Sequence, residues 1–211
     1  MDSYNSYVAG FQTNKDAFIK QMEEHAEQQN IPIMDSDAIE IFLGLLSIQQ
    51  PSSILEIGSA IGYSAIRMAE SLPAASITTI ERDEKRYSQA VDYIANSGYG
   101  SRIQIIEADA LDLDMDILSG KMYDALFIDA AKGQYKRFFE KYSPKVKSGG
   151  AIYCDNMFMH GMVLQEDVEL PRRKRTMIRN IKEFTGWIMA HPDYHSSLLP
   201  VGDGILIANK K

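Results

Sequence analysis

The stretch 53–71, SILEIGSAIGYSAIRMAES, decides the fold class of this 211-residue chain. Its first six residues form a short apolar run that ends at Gly58, which predicts a buried β-strand. A helical pattern over 61–71 follows a short loop, with a second glycine, Gly62, at its start. A strand, a glycine loop and a helix in this order are typical of the first unit of a parallel α/β sheet.

The same alternation continues along the chain. Strands are predicted over 76–81, 102–109, 123–129 and 149–155, and helices over 83–96, 112–119 and 134–143. After residue 155 the pattern changes to a loop, a helix over 171–190 opened by Pro171, and two strands around 201–203. Strands joined by so tight a turn run antiparallel. We therefore expect a doubly wound, Rossmann-like sheet of seven strands ending in an antiparallel hairpin, as in class I methyltransferases.

The first 50 residues are predicted to form a helical extension of a single domain that spans 1–211. Helices are expected over 14–29, with Asn14 as a candidate N-cap, and over 36–48, starting at Ser36. The N-terminus has no basic region before an apolar one, and no segment approaches about 20 uncharged apolar residues. A cytoplasmic protein without a membrane partner is the expectation, and the single cysteine excludes an internal disulfide.

Nearly every predicted strand of the parallel part ends in a carboxylate. In chain order these residues are Glu56, Glu81, Asp109, Asp129 and Asp155, the last followed by Asn156. In open α/β sheets, ligands bind beyond the carboxyl ends of the strands. The acids are therefore expected to surround a ligand site.

The glycine loop favours S-adenosylmethionine (AdoMet) over a dinucleotide. Gly58 allows close approach of a ligand, and Glu81 stands where an acid accepts hydrogen bonds from a ribose. An NAD-dependent oxidoreductase would have the same features, but the loop lacks G-x-G-x-x-G. Glu56 would repel a pyrophosphate, whereas AdoMet carries an ammonium, a sulfonium and no phosphate. A plain helix-opening turn remains the alternative without a ligand.

Three oxygen-bearing side chains end the fourth and fifth strands. Asp129, Asp155 and Asn156 together suit a hard cation such as Mg²⁺ or Mn²⁺. Such a cation would acidify a substrate hydroxyl, and Lys132 is close enough along the chain to accept its proton. The alternatives are that the two acids cap backbone amides and that Lys132 is a solvated loop lysine.

The net charge of −7 argues against broad nucleic-acid binding, but the basic residues are clustered. One block comprises Arg172, Arg173, Lys174, Arg175 and Arg179, and a looser one includes Lys136. A solvated helix face is the alternative for each block.

Five motifs together resemble the cation-dependent O-methyltransferases related to the caffeoyl-CoA and catechol enzymes. They are ILEIGSAIGYSAIRMA, TIERDEKRY, LFIDAAKGQY, GGAIYCDNMFMHG and LPVGDG. The resemblance implies AdoMet contacts at Met34, Glu56, Gly58, Tyr63, Ser64, Glu81, Asp109, Ala110 and Asp129. It also implies metal ligands at Asp129, Asp155 and Asn156, Lys132 as the catalytic base beside Asp129, and a homodimer.

Within that family, DAAKGQY, PRRKR and HPDY with PVGDG resemble the bacterial tRNA 5-hydroxyuridine methyltransferases, which make 5-methoxyuridine at the wobble position. This resemblance implies a tRNA anticodon loop as partner, with phosphates bound by the two basic blocks. The splayed target base would stack on Phe158 or Tyr135. A small catechol-like or CoA-ester acceptor is the alternative for the same site, and a non-catalytic RNA-binding module is a further one.

Overall fold

The computed structural model describes residues 16–166 and 168–211, and element numbers count what lies within them. The strands are β1 (Ser53–Ile57), β2 (Ser76–Glu81), β3 (Ile103–Glu107), β4 (Tyr123–Ile128), β5 (Val146–Cys154), β6 (Tyr194–Leu199) and β7 (Ile205–Lys210). The α-helices are α1 (Ala17–Gln29), α2 (Ser36–Gln49), α3 (Tyr63–Ser71), α4 (Glu84–Asn96), α5 (Tyr135–Tyr142) and α6 (Arg172–Met189).

All seven strands form one sheet in the order β3-β2-β1-β4-β5-β7-β6. Neighbouring strands from β3 across to β5 are parallel, whereas β7 is antiparallel to both β5 and β6. The predicted doubly wound sheet with an antiparallel C-terminal hairpin is therefore confirmed. The strand order reverses at β1, between β2 and β4, and such a switch point is where open α/β sheets bind ligands.

Alternate residues of the strands belong to two separate apolar cores, one on each face of the sheet. Ile54 of β1 packs with side chains of α1 to α4, whereas its neighbour Leu55 packs with those of α5 and α6. Because both faces are covered by helices, the central strands carry apolar side chains on both faces instead of alternating apolar with exposed polar ones.

The N-terminal helices are part of the first core rather than an appendage to it. The Phe42 ring of α2 stacks on Phe127 of β4, with centroids 4.4 Å apart, and meets Tyr153 of β5 edge to face at 5.2 Å. The break between α1 and α2 contains Met34, which is buried. This packing brings Met34 to the edge of the sheet where the strands end.

Local capping explains where the observed elements agree with the sequence and where they do not. The helix predicted over 83–96 is confirmed, and Asp83 is its N-cap, because its carboxylate accepts the Arg86 N–H at 2.9 Å. The predicted helix over 112–119 is wrong, since only Met115–Leu118 turns, as one 3₁₀ segment. Asp114 accepts the Asp116 N–H at 3.0 Å, a local bond that competes with helix formation. The candidate N-cap Asn14 lies outside the described residues.

The ends of β1 and β4 approach each other more closely than a side chain would allow. Gly58 has φ +95°, and a Cβ there would lie 2.2 Å from the carbonyl oxygen of Asp129. The Asp129 N–H donates to Ile57 O at 2.9 Å, and the Gly58 N–H donates to Ile80 O at 2.9 Å. Glycine is therefore required at 58 both by conformation and by space.

We expect Gly58→Ala to lower the free energy of unfolding by about 3 kcal/mol or more, since it combines left-handed strain with a backbone clash. The matched control is Gly44→Ala in α2, where an added Cβ meets nothing within 4 Å. That change should leave stability equal or raise it by up to about 1 kcal/mol. Urea unfolding followed by circular dichroism measures both, and similar values for the two variants would contradict the close-approach argument.

Candidate active site

A cavity of about 600 Å³ opens at the carboxyl ends of β1 to β4. Eight of the nine residues predicted to contact the cofactor line it: Met34, Gly58, Tyr63, Ser64, Glu81, Asp109, Ala110 and Asp129. Lys132 lies in the same lining, so the cavity extends from the glycine loop to the predicted base. Its volume falls within the range of ordinary small-molecule sites.

Glu81 fastens the glycine loop to the end of β2. One carboxylate oxygen accepts the Ala60 N–H at 2.8 Å, and the other accepts the N–H groups of Arg82 and Asp83, each at 2.9 Å. The residue is buried, yet it lines the cavity. Its carboxylate is therefore held rigidly by backbone donors, with lone pairs left to accept hydrogen bonds from a ligand.

Asp109 is fixed in a similar way at the neighbouring strand end. Its carboxylate accepts the Leu111 N–H at 2.8 Å and lies 3.2 Å from an Arg82 guanidinium nitrogen. The backbone hydrogen bond from Leu111, followed by the Arg82 interaction, lowers the pKa of Asp109 despite the opposing effect of burial. Asp109 is thus a fixed anion at the cavity wall.

Glu56, the ninth predicted contact, occupies a different place from the one expected. Its side chain is fully buried behind Ser64, whose hydroxyl donates to one carboxylate oxygen, while Thr79 Oγ1 donates to the other at 2.5 Å. Burial raises the pKa of Glu56 to about 7, opposed in part by these two hydroxyls. Glu56 therefore supports Ser64 from behind instead of presenting its carboxylate to the cavity.

Sequence analysis missed Glu23, which orients Tyr63 from the N-terminal helix α1. The Tyr63 hydroxyl donates to Glu23 Oε1 at 2.5 Å and accepts from Arg67 at 3.3 Å. Arg67 in turn donates to Glu40 of α2 at 2.7 Å. Tyr63 and Arg67 lie one helical turn apart, but their partners Glu23 and Glu40 belong to other helices, so helical periodicity could not reveal those two contacts. The cavity lining also includes three arginines that were not among the predicted site residues, at positions 82, 86 and 137.

Asp155 and Asp129 meet at the adjacent ends of β5 and β4, as predicted. Asp155 is 2% exposed, and its Oδ1 has no hydrogen-bond partner among the described residues. Burial, and next the charge of Asp129, raise the pKa of Asp155 to about 7. A buried carboxylate beside a second one is costly unless a cation binds, so this pair fits a metal site.

The donor set for such a cation is small. Within the described part of the chain, no three His, Cys, Asp or Glu side chains form a group that could hold a metal. A cation here would therefore be bound by the two carboxylates and the amide of Asn156, with remaining positions left to water or substrate. Two carboxylates and an amide match magnesium or manganese better than zinc.

Lys132 lies beside this pair of acids. Its Nζ forms an ion pair with Asp129 Oδ1, and it lies 5.8 Å from the centre of the Tyr135 ring. Its side chain is 22% exposed, so it is a partly enclosed amine rather than the solvated loop lysine of the alternative interpretation. It can reach both solvent and the carboxylates.

The basic residues of α6 lie on a helix that packs against the turn bearing Lys132. Asn180 donates to Gly133 O at 2.9 Å, and Arg172, Arg173 and Arg179 are exposed. Lys174 is partly buried at the same end of the helix. Arg175 is used internally, since its guanidinium donates to Leu170 O at 3.1 Å and Val168 O at 3.3 Å.

Three other residues predicted to contact a nucleic acid differ in their exposure and in their partners. Lys136 lies over the Trp187 ring at 5.0 Å and 3.9 Å from Glu140, so it already has partners. Tyr135 is 1% exposed and donates to Asp155 O, so its predicted role in stacking a base is wrong. Phe158 is partly exposed and packs against Gly204.

Comparison with known proteins identifies the family of this arrangement. The profile of the O-methyltransferase family matches residues 10–211. The chain belongs to the O-methyltransferase family. A caffeoyl-CoA O-methyltransferase 1 of Eucalyptus globulus is 30% identical over 86% of this chain and 76% of its own length.

Two solved structures resemble this O-methyltransferase along nearly its whole length. One is a Staphylococcus aureus protein provisionally named caffeoyl-CoA O-methyltransferase, with a TM-score of 0.90 and 32% identity over 99% of this chain and 98% of that one. The other is an O-methyltransferase of Bacillus cereus in complex with SAH, with a TM-score of 0.84 and 25% identity over 99% of this chain and 97% of that one.

Among residues 16–166 and 168–211, no helix has the length and apolar character needed to cross a bilayer.

We expect Glu56→Gln to stabilise the ligand-free protein at alkaline pH and not at acidic pH. The unfolded chain ionises Glu56 near its ordinary value of 4.5, whereas the folded chain keeps the proton up to about pH 7. Stability contributed by this group is therefore complete below pH 4.5 and lost as pH rises through 7, by up to about 3 kcal/mol. Glutamine does not ionise and escapes this loss.

Urea unfolding of the two proteins between pH 4.5 and 8 measures the effect. The exposed Glu24→Gln change in α1 is the matched control and should show no such trend. A difference between Glu56→Gln and wild type that stays constant over this range would contradict the assignment of a raised pKa.

Proposed function

We propose that this protein transfers the methyl group of AdoMet to a hydroxyl group held at the Asp129–Asp155 edge. One observation carries the proposal: Asp129 lines the cofactor-sized cavity and also forms the acid pair with Asp155 and the ion pair with Lys132. Methyl donor, cation and base would therefore meet at a single side chain. Such convergence is what a direct transfer between two bound molecules requires.

The cavity residues suit AdoMet, and SAH in the Bacillus cereus relative supports this choice. Glu81 would accept hydrogen bonds from the ribose hydroxyls, and Asp109 lies at the adjoining wall. Tyr63 and Ser64, at the start of α3, would face the amino-acid part of the cofactor. AdoMet supplies a methyl group bound to a sulfonium, which takes the bonding electron pair and becomes a neutral thioether on transfer.

The edge of the sheet where Asp129, Asp155 and Asn156 lie, called the acid edge below, suits a divalent cation, Mg²⁺ or Mn²⁺. Asp129, Asp155 and Asn156 would hold it, and the unpartnered Asp155 Oδ1 is the feature that supports this assignment. A bound divalent cation lowers the pKa of a hydroxyl and fixes the direction of its oxygen.

Lys132 is assigned as the proton acceptor. As a neutral amine, its Nζ would take the hydroxyl proton as the oxygen forms its bond to the methyl carbon. Its contact with Asp129 keeps it at the acid edge, and the partial enclosure limits its access to water. Tyr135 anchors this region, because its hydroxyl donates to the backbone of Asp155 at 2.6 Å.

Two acceptors each have a supporting observation. A small catechol-like or CoA-ester hydroxyl is supported by the caffeoyl-CoA O-methyltransferase relatives. A 5-hydroxyuridine of tRNA is supported by the exposed arginines of α6, which packs onto the Lys132 turn. The relatives favour the first acceptor, and we keep the second because phosphate contacts need local cations rather than a basic protein.

Removing the cation or the base should abolish turnover by different routes. Excess EDTA should stop methylation and added Mg²⁺ should restore it, while Lys132→Met should lower kcat by about 100-fold or more with AdoMet binding retained. Lys121→Met, before β4 at the opposite edge of the sheet, is the control and should behave as wild type. Full activity in EDTA would contradict the cation, and full activity of Lys132→Met would contradict the base.

Charge reversal on α6 should separate the two acceptors. If tRNA is the substrate, Arg172→Glu with Arg173→Glu should raise KM for hydroxyuridine-containing tRNA by about tenfold or more at moderate salt, because phosphate contacts are lost. Turnover of caffeoyl-CoA or free catechol should not change. Lys121→Glu is the matched control.

Mass spectrometry of tRNA nucleosides from cells with and without the gene gives an independent answer. Loss of 5-methoxyuridine with a gain of 5-hydroxyuridine would establish the tRNA acceptor. Unchanged nucleosides, together with efficient turnover of a small catechol, would exclude it.

A further inference from the structure

The segment that follows the acid edge is held in an unfavourable backbone conformation. Three of its non-glycine residues have left-handed φ values: Asn156 at 56°, Met159 at 49° and His160 at 52°. Asparagine tolerates this conformation, but a left-handed residue of another type costs roughly 1–2 kcal/mol. Such strain persists only where neighbouring structure imposes it. The loop 156–161 must therefore be held by contacts from elsewhere in the chain.

Those contacts come from the turn of the β6–β7 hairpin. Asp203 Oδ1 accepts the His160 N–H at 2.6 Å, and the Asp203 carbonyl accepts the Phe158 N–H at 2.8 Å. The Gly204 carbonyl accepts the Met157 N–H at 3.0 Å. Only the first of these bonds depends on a side chain, and it ends at a residue with left-handed φ. Among these three hydrogen bonds, only the one accepted by the Asp203 carboxylate can be removed by substituting a side chain.

The hairpin turn is itself firmly seated. A Cβ at Gly202 would lie 2.6 Å from the Ala38 Cβ of α2, and one at Gly204 would lie 2.7 Å from the Phe158 ring. Both glycines have left-handed φ values, 53° and 89°. Helix α2 and the Phe158 ring thus enclose the turn, so that Asp203 cannot shift without disturbing the packing around it.

An aspartate at position 203 is also expected to lower the stability of the fold. Its side chain is 4% exposed, and Oδ2 has no hydrogen-bond partner among the described residues. His160 Nδ1 lies 3.7 Å from Oδ2, on a side chain that is 78% exposed. An incompletely satisfied buried carboxylate lowers stability relative to a neutral group. Stability alone therefore does not account for an acid here.

We propose that Asp203 is a positioning residue for the cation site, acting through the loop 156–161. By accepting the His160 N–H, it holds the loop in the left-handed path that begins at Asn156, the residue after Asp155. In this proposal the LPVGDG motif supports the cation site through the position of the neighbouring loop. This inference rests on the proposed cation site at Asp129, Asp155 and Asn156.

The test measures the cation and the loop separately, without turnover. Mn²⁺ binding is followed by electron paramagnetic resonance, and amide hydrogen exchange over 156–161 is followed by mass spectrometry in metal-free protein. Asp203→Ala should weaken Mn²⁺ binding by about tenfold or more, as losses of supporting residues typically do, and speed exchange in the loop. Asp203→Asn keeps the acceptor oxygen and should stay within about threefold of wild type.

A rescue variant distinguishes positioning from plain packing. In the double variant Asp203→Ala with His160→Gly, glycine adopts the left-handed φ without strain, so most of the lost Mn²⁺ affinity should return. Removing the exposed His160 side chain costs little packing, and the double variant also serves if Asp203→Ala alone fails to fold. Asp193→Ala, at a side chain 77% exposed before β6, is the matched control.

Each outcome bears on one conclusion. Wild-type Mn²⁺ affinity in Asp203→Ala, equal losses in Asp203→Ala and Asp203→Asn, or no rescue by His160→Gly would overturn the positioning role. If the wild-type protein itself binds no Mn²⁺, the proposed cation site fails and this inference fails with it. Exchange rates in the loop then still show whether Asp203 holds the segment.

Discussion

The close approach of Gly58 to the backbone of Asp129 is the constraint on which the site depends. A Cβ at Gly58 would lie 2.2 Å from the Asp129 carbonyl oxygen, so the ends of β1 and β4 can touch only where a side chain is missing. The glycine loop begins on one side of this junction, and Asp129, Lys132 and the acid edge begin on the other. A cofactor in the cavity and an acceptor at the acid edge would be adjacent, because these two backbone segments are adjacent.

Three buried acids near this junction differ in the hydrogen-bond donors around their carboxylates. Glu81 is satisfied by backbone N–H groups, and Glu56 by two hydroxyls that only partly offset its burial. Asp155 keeps one oxygen without a partner among the described residues. The first arrangement holds its carboxylate rigid, the second supports Ser64 from behind, and the third leaves an oxygen that would suit a cation. Neighbouring donors, rather than residue type, assign these roles.

The N-terminal helices and the C-terminal hairpin serve the site from opposite ends of the chain. Glu23 of α1 holds the Tyr63 hydroxyl, and Ala38 of α2 packs against Gly202 in the hairpin turn. The hairpin in turn holds the loop after Asp155 through Asp203 and Gly204. The O-methyltransferase family profile covers both ends of this arrangement, whereas the exposed arginines of α6 lie outside the arrangement, on the helix that packs against the Lys132 turn.

The sequence by itself determined the alternation of strands and helices, the antiparallel ending, and the acids at the strand ends. These features follow from local periodicity, glycine positions and chain order. It could not determine that Glu56 faces away from the cavity, that Tyr135 is buried, or that 112–119 forms only one turn. Which acid meets a backbone donor, and which ring lies beneath another helix, depends on contacts between distant residues such as Tyr63 with Glu23 and Asp203 with His160. Only the tertiary structure decides these, because burial and hydrogen-bond partners are properties of the packed chain and not of any one segment.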